Sequence, residues 1–539
     1  MLSPTTIKLA LISVSILLTA LNLFASPTRL HAISSSLPSI PGKRPLSRQS
    51  QFVADVLHDD NEIDGRFDNR TLVQLCGSRK WIPGLIFRCE APEGGVANVR
   101  NVILNCLRYA IEAGATSIIT PQIHIHTTTT PDAPPVPFPF SHFFDLSHFT
   151  THLSSACPQI SLIHHLNDLF YLPSTARPIP LNPTSFEPAS ALVNGSILSQ
   201  PGNWSANFAD YLSIEHPTPP SADLPLLISV APSLLSFPLS YDAPHLVSSF
   251  GRLLRPNPDV RRVAAAVLWA LDEKYALGFD ATGGVQPSMF YGAHLRTGED
   301  AAAAGWTPYA VQETNFLSHA STSHLDIIFA SSSASTDEDV DAFTATAKRR
   351  HNITVETTQR LLGVRDPDGT WRPREGMESE WGVWSGMGWD VQGVVEAEVF
   401  LRASVFGGEW ESSLSWGVAM RRHVVEGGDD ESERWDETRR DLPRSKKTRD
   451  AHTRGRGSSG RRREPLSRGM AKRGDAASMG TFASARDGET KEREEEGSAS
   501  ADTGIDQGAK EGEMSFEDTL SVVFGPEDEG GRVKASLWP

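Results

Sequence analysis

Residues 81 to 121 carry the pattern that most narrows the folds open to this chain. Trp81-Ile82-Pro83-Gly84-Leu85-Ile86-Phe87-Arg88-Cys89 reads as a buried strand. It enters a Gly-rich turn, Glu93-Gly94-Gly95-Val96-Ala97-Asn98-Val99-Arg100. Val99, Val102, Ile103, Cys106, Leu107, Ala110 and Ile111 then recur at helical spacing, and Gly114 is placed to cap that helix. Ser117-Ile118-Ile119-Thr120-Pro121 follows as the next strand. Strand, turn, helix, strand is a βαβ unit and predicts an α/β domain. The turn lacks Gly-x-Gly-x-x-Gly spacing, so it does not point to NAD.

The same alternation returns in the second half. Arg261 to Leu277 is predicted helical, with Val263, Ala266, Val267, Ala270 and Leu271 on one stripe. Apolar strands are expected at Phe290 to Ala293 and at Leu325 to Ala330, the latter running into Ser331-Ser332-Ser333. Helices are expected at Val340 to Arg350 and from Trp389 to Ala403, then a short strand Ser404-Val405-Phe406 and a helix from Trp416 to His423. The predicted fold is therefore α/β, with two Rossmann-like domains facing a cleft. The first spans 51–240 and the second 241–425, with residues 220 to 257 crossing between them. Phe143 to Phe149 reads as a helix entry, capped by Asp145 or Ser147. His124 and His126 could share a strand face as zinc ligands do, but with no third ligand in sequence they read as a polar edge.

The flanks point to a compartment. Lys8 precedes about 17 mostly apolar residues, at the short end of a membrane span and longer than a usual signal core. Residues 1–25 are read as a signal anchor or signal peptide, holding the membrane through 7–25 if uncleaved, and 26–50 as a stem. The rest is then expected in the endoplasmic reticulum or Golgi lumen, as a type II membrane protein, or secreted. Asn-x-Ser/Thr sequons at Asn69, Asn194, Asn203 and Asn352 agree. So do four cysteines, Cys76, Cys89, Cys106 and Cys157, an even number that favours disulfides in an oxidising compartment and allows three pairings. A net charge of -16 argues against nucleic acid as a partner. Residues 426–513 turn strongly charged, basic then acidic, with few large apolar residues, a composition that predicts a disordered insertion. Residues 514–539 regain apolar periodicity and are expected to dock back as a short helix, with Leu537-Trp538-Pro539 anchoring the end.

The chemistry is carried by Phe290-Tyr291-Gly292-Ala293-His294-Leu295-Arg296-Thr297-Gly298-Glu299-Asp300. A strand ends in His-Leu-Arg, and an acid follows the Arg by four positions. Arg offers a planar fork suited to phosphate. His294 falls on the same strand side as Arg296. Downstream, Phe406-Gly407-Gly408-Glu409-Trp410-Glu411-Ser412-Ser413-Leu414-Ser415 opens a helix whose free N–H groups and dipole suit an anion. The bland alternatives are an Arg296–Asp300 ion pair, Asp300 as a helix cap, and simple serine capping. No Gly-x-Ser-x-Gly elbow occurs, which disfavours a serine hydrolase.

These three runs, in this order, resemble the GDP-fucose protein O-fucosyltransferase family, in a divergent form like those of fungi. The resemblance covers roughly residues 50 to 425, with a short return near the C-terminus. It implies a GT-B-like glycosyltransferase that moves fucose from GDP-fucose to a protein Ser/Thr or related hydroxyl with inversion. It makes Arg296 the pyrophosphate ligand, Asp300 a nucleotide contact, and the Ser412, Ser413 and Ser415 turn a phosphate loop. Gly94, Gly95 and Asn98 would let the backbone approach the donor, with His294 in the pocket. Glu93 matches an acid that deprotonates the acceptor in some related enzymes. Asp390 and Glu396 are weaker nucleotide-site candidates, since helix residues at such spacing are usually solvated. Asp337-Glu338-Asp339 and Asp366-Pro367-Asp368 lie outside the matched motifs, so no metal and no cofactor beyond the donor are expected. Two other readings stay open: a fucosyltransferase with a glycan acceptor, and a catalytically inactive carbohydrate-binding protein of the same fold.

Overall fold

The computed structural model describes residues 46–90, 95–125, 136–164, 166–169, 175, 177–181, 192–193, 197–230, 236–333, 335–427, 514–526 and 537–539. The segment 1–25, Glu93, Gly94, His126, the Asn194 sequon and nearly all of 426–513 lie outside the described residues. Among the described residues no helix is long and apolar enough to cross a membrane.

Helix α1 (Arg48–Val56) is capped by Ser47, whose hydroxyl accepts the Ser50 N–H at 3.0 Å. Strand β1 (Ile82–Cys89) leads through the Gly-rich turn into α2 (Val96–Ala113). That helix stops at Gly114, whose φ of 73° suits glycine; a Cβ there would also meet the Lys80 carbonyl oxygen at 2.1 Å. After β2 (Ala115–Ile119) comes α3 (Leu146–Ala156), capped by Asp145 through the His148 N–H at 2.9 Å. Strands β3 (Ser161–Ile163), β4 (Ile179–Leu181) and β5 (Leu226–Val230) complete a parallel sheet in the order β3-β2-β1-β5-β4.

Residues 220 to 257 therefore do more than cross between domains. Leu226–Val230 is an interior strand, buried along its whole length. An interior parallel strand is covered on both faces, so its sequence is a plain apolar run without the alternation that marks a half-buried strand.

The second sheet begins after α4 (Pro258–Tyr275), against which Phe52 of α1 packs through Trp269, ring centroids 5.5 Å apart. Strand β6 (Tyr291–Ala293), helix α5 (Tyr309–Thr322), β7 (Ile327–Ala330) and β8 (Thr354–Glu356) wind outward. Helix α6 (Trp389–Phe400), β9 (Val405–Glu409) and α7 (Ser413–Gly427) return to the other side. Residues 514 onward then form β10 (Met514–Glu517) and β11 (Ser521–Phe524), not the expected short helix. The sheet order is β8-β7-β6-β9-β11-β10, parallel except for β10 against β11. The correction has a physical cause. The edge of β9 offers unpaired backbone groups, and Ser521-Val522-Val523-Phe524, rich in β-branched and aromatic side chains, suits a fully buried strand.

All four cysteines are paired, Cys76 with Cys157 and Cys89 with Cys106. The second bridge ties the end of β1 to α2 on either side of the Gly-rich turn. The bridges close loops of 81 and 17 residues, worth about 3 to 5 kcal/mol each in the chain-entropy account. Reduction under native conditions is thus expected to lower the thermal midpoint markedly. An unchanged midpoint with four titratable thiols would show that the bridges contribute nothing.

Candidate active site

Open parallel sheets bind ligands beyond the carboxyl ends of their strands, where neighbouring loops part in opposite directions. In the second sheet that point lies between β6 and β9, since β7 and β8 continue one way and β11 the other. His294 and Arg296 directly follow β6, and the serine turn directly follows β9. In the first sheet the same point lies between β1 and β5, and the Gly-rich turn leaves β1 there.

The β6 and β9 loops are bonded together. The His294 N–H donates to the Gly407 carbonyl at 2.9 Å, extending the strand pairing. The His294 ring, 5% exposed, places Nδ1 2.8 Å from Ser415 Oγ and 3.4 Å from Ser412 Oγ. Ser415 Oγ accepts the Glu409 N–H at 3.1 Å, and Ser412 Oγ accepts the Ser415 N–H at 3.3 Å, which caps α7. Gly408 makes the approach possible, because a Cβ there would lie 2.4 Å from Ser415 Oγ. Ser412 and Ser415 are thus spent on the cap and on His294. Ser413 instead lines a cavity of about 100 Å³ between the two halves, with Val96 and Arg100 of α2, Val394 and Glu398 of α6, and Leu414.

Burial, and then the charge of Arg296, push the His294 ring down to about 3 from the ordinary 6.5. The imidazole is neutral at physiological pH. Between those two values the unfolded chain holds the extra proton, so stability rises with pH. This contribution is complete above pH 6.5 and is lost as pH falls toward 3. His294→Gln should therefore make the stability curve shallower in that window. It should not flatten it, because burial also pushes His148 down to about 4. An unaltered slope in urea titrations would refute a buried neutral His294.

Arg296 is fixed at its backbone and its head. Its N–H donates to Gln312 Oε1 at 3.0 Å, and its carbonyl accepts from Gln312 Nε2 at 2.9 Å. The guanidinium forks onto Asp300, with Nη1 to Oδ1 at 2.9 Å and a second bond from Nη2 to Oδ2. The ion pair weighed from sequence is therefore present. Burial works to raise the Asp300 carboxyl, yet the hydrogen bonds and charge of Arg296 hold it below the usual carboxylate range. Arg296 is 11% exposed and Asp300 56%, in the first turn of the short helix Glu299–Ala303. An anion approaching the end of β6 meets a guanidinium paired with a carboxylate that is itself largely open to water.

Other candidates fall less neatly. Gly95 opens α2, and a Cβ there would meet no other part of the described protein within 4 Å. Asn98 is exposed on α2. Glu93 and Gly94 lie outside the described residues. Asp390 and Glu396 are buried rather than solvated. Burial pushes both carboxyls up, opposed at Asp390 first by the Val391 N–H and then by His142 from the first half. Glu396 accepts the Ser332 N–H at 2.8 Å and the Ser333 hydroxyl at 2.5 Å, tying α6 to the end of β7.

Several residues at the site carry no sequence motif. Gln312, Trp306 and Trp389 surround Arg296. Glu409 is fully buried, and both its carboxyl oxygens are without a hydrogen-bond partner among the described residues. Burial, then the charge of Glu411, push its carboxyl well above the usual range. A lone polar residue inside an apolar strand was the one available signal for it.

No family model matches the chain, and no curated protein matches it. Among solved structures it is similar to POFUT1 in complex with GDP, at 11% identity and a TM-score of 0.32, covering 64% of this chain and 94% of that one. An apo form of POFUT1 gives 13% identity and a TM-score of 0.34, covering 66% and 97%. A mutant of Arabidopsis thaliana FUT1 in complex with GDP gives 12% and 0.31, covering 71% and 78%.

Proposed function

We propose that this protein is an inverting glycosyltransferase that moves fucose from GDP-fucose to a protein Ser/Thr or related hydroxyl. One observation carries the reading: a half-buried arginine fork and a serine-capped helix N-terminus follow the adjacent strands β6 and β9, at the point where the second sheet changes direction. Arg296 would hold the diphosphate and stabilise the charge that develops on it as the glycosidic bond breaks. The N-terminus of α7 would add N–H donors and its dipole. His294, neutral, would shape the crevice without adding charge. Glu93, at the exit of β1, would take the acceptor proton. The two disulfides support a lumenal or extracellular setting, with residues 7–25 as the membrane anchor if they are retained.

The direct test is hydrolysis and transfer by the purified protein across a panel of nucleotide sugars. Turnover of GDP-fucose alone is expected. Turnover of a UDP-sugar instead would overturn the donor, and GDP binding with no turnover would favour a carbohydrate-binding protein of this fold. Glu93→Gln is expected to abolish transfer while GDP binding survives. Equal loss of both would make Glu93 a donor-site or packing residue instead.

A further inference from the structure

The surroundings of Arg296 contain more than its ion pair. The guanidinium carbon lies 5.3 Å from the centroid of the Trp306 ring and 5.8 Å from that of Trp389. Trp306 sits in the loop before α5, and Trp389 opens α6. Both indoles are half-buried.

The loop that carries Trp306 is anchored from three sides. Its own N–H donates to the Ala301 carbonyl at 3.1 Å. The next residue, Thr307, gives its N–H and its hydroxyl to Glu411 Oε1 at 2.8 and 2.9 Å, one position before Ser412. Gln312, 1% exposed, donates to the Thr307 carbonyl at 2.6 Å as well as to that of Arg296. One buried amide therefore fixes the Arg296 backbone to the backbone beside Trp306, and Glu411 fixes the same loop to the serine turn.

This matters because the ion pair cannot orient Arg296 during binding. A diphosphate and Asp300 compete for the same two fork nitrogens. When the anion enters, Asp300 must yield, while the ring contacts and the backbone clamp go on constraining the guanidinium plane. Aromatic faces attract a guanidinium by the ring quadrupole and keep it flat against them. We propose that Trp306 and Trp389 are positioning residues that keep the Arg296 fork aimed into the crevice while its partner changes from Asp300 to a diphosphate. The role in turnover rests on the donor reading above; the role in diphosphate binding does not.

The test uses the full chain with Trp306→Ala, Trp306→Phe, Trp389→Ala and Trp389→Phe. Inorganic pyrophosphate and GDP are titrated calorimetrically, and kcat and KM are measured with GDP-fucose. Each alanine variant is expected to weaken pyrophosphate binding about tenfold, in the range of a desolvated cation–ring contact. Phenylalanine should restore most of that loss, and kcat should fall more than KM rises. In an Arg296→Lys background the alanine effects should largely vanish, since a compact ammonium has no plane to hold. If an alanine variant does not fold, leucine replaces it, keeping apolar bulk without a ring face. A lowered unfolding midpoint with unchanged pyrophosphate affinity would mean that the rings only pack, and would overturn the proposal. No pyrophosphate binding by the unaltered protein would overturn it too. Ring-dependent pyrophosphate binding without GDP-fucose turnover would leave the positioning role standing and remove the donor.

Discussion

Arg296→Ala is expected to lower transfer from GDP-fucose by about 10²- to 10³-fold, or roughly 3 to 4 kcal/mol, the usual cost of removing one oriented stabiliser of developing charge. The effect should fall on kcat, because the charge on the diphosphate grows as the glycosidic bond breaks. The fold should survive. Arg296 pairs with a half-exposed Asp300, and such pairs contribute little to stability. Its backbone clamp to Gln312 uses no side-chain atom of residue 296 and so persists in the variant. Arg296→Lys should recover part of the activity, keeping the charge but losing the planar fork. Turnover at the unaltered level in a folded Arg296→Ala protein, by stopped assays at saturating donor, would remove Arg296 from the mechanism.

The local parts of this architecture were legible in the sequence because their causes are local. The β1-turn-α2-β2 unit follows from a short apolar run, a helical stripe and a glycine that stops the helix. Asp145 caps α3 because its side chain is in reach of the N–H three residues on. What failed depends on partners far away in the chain. Leu226–Val230 shows no alternation, since both of its faces are covered by other elements. Asp390 and Glu396 look like solvated helix residues until α6 is placed against the first half and against the Ser332-Ser333 turn. At the site, the His-Leu-Arg run and the serine turn were visible as motifs, and the sheet brings them together. Their supports were not visible. Gln312 lies 16 residues from Arg296 and its amide bonds to backbone atoms, those of Arg296 and Thr307, so no side-chain pattern reports it. The serines also divided their labour in a way that spacing does not encode, two serving the cap and His294 and one facing the cavity.

The largest effect on stability is expected from the last strands. Replacing residues 428–512 with a short Gly/Ser linker should leave the unfolding midpoint nearly unchanged, because that composition offers few side chains to any core. Truncation after Gly427 should instead prevent folding. Strand β11 lies between β9 and β10, so its loss strips one edge of the strand that carries the serine turn. The Phe406 N–H would lose the Leu520 carbonyl and the Trp410 N–H that of Phe524, both at 2.9 Å. Val522, Val523 and Phe524 are essentially fully buried, and each such side chain is worth about 1.5 to 3 kcal/mol. Arg422 adds to the loss. Its guanidinium is fully buried and donates to the Leu520 carbonyl at 2.7 Å and to Ser521 Oγ at 3.0 Å, beside three carbonyls at the end of α6. Burial already pushes Arg422 down to about 9, and removing two acceptors deepens that penalty. The end of the chain also reaches the first half, where the Trp538 indole donates to Asn105 Oδ1 at 3.2 Å and Arg100 holds the Trp538 carbonyl at 2.8 Å. Together these losses rival the whole net stability of a typical domain, about 5 to 15 kcal/mol. A soluble truncated protein with a near-native melting transition would show that β9 can close the sheet alone. The opposite outcome, a folded linker variant beside an unfolded truncation, would make the returning strands the element that holds the serine turn in place.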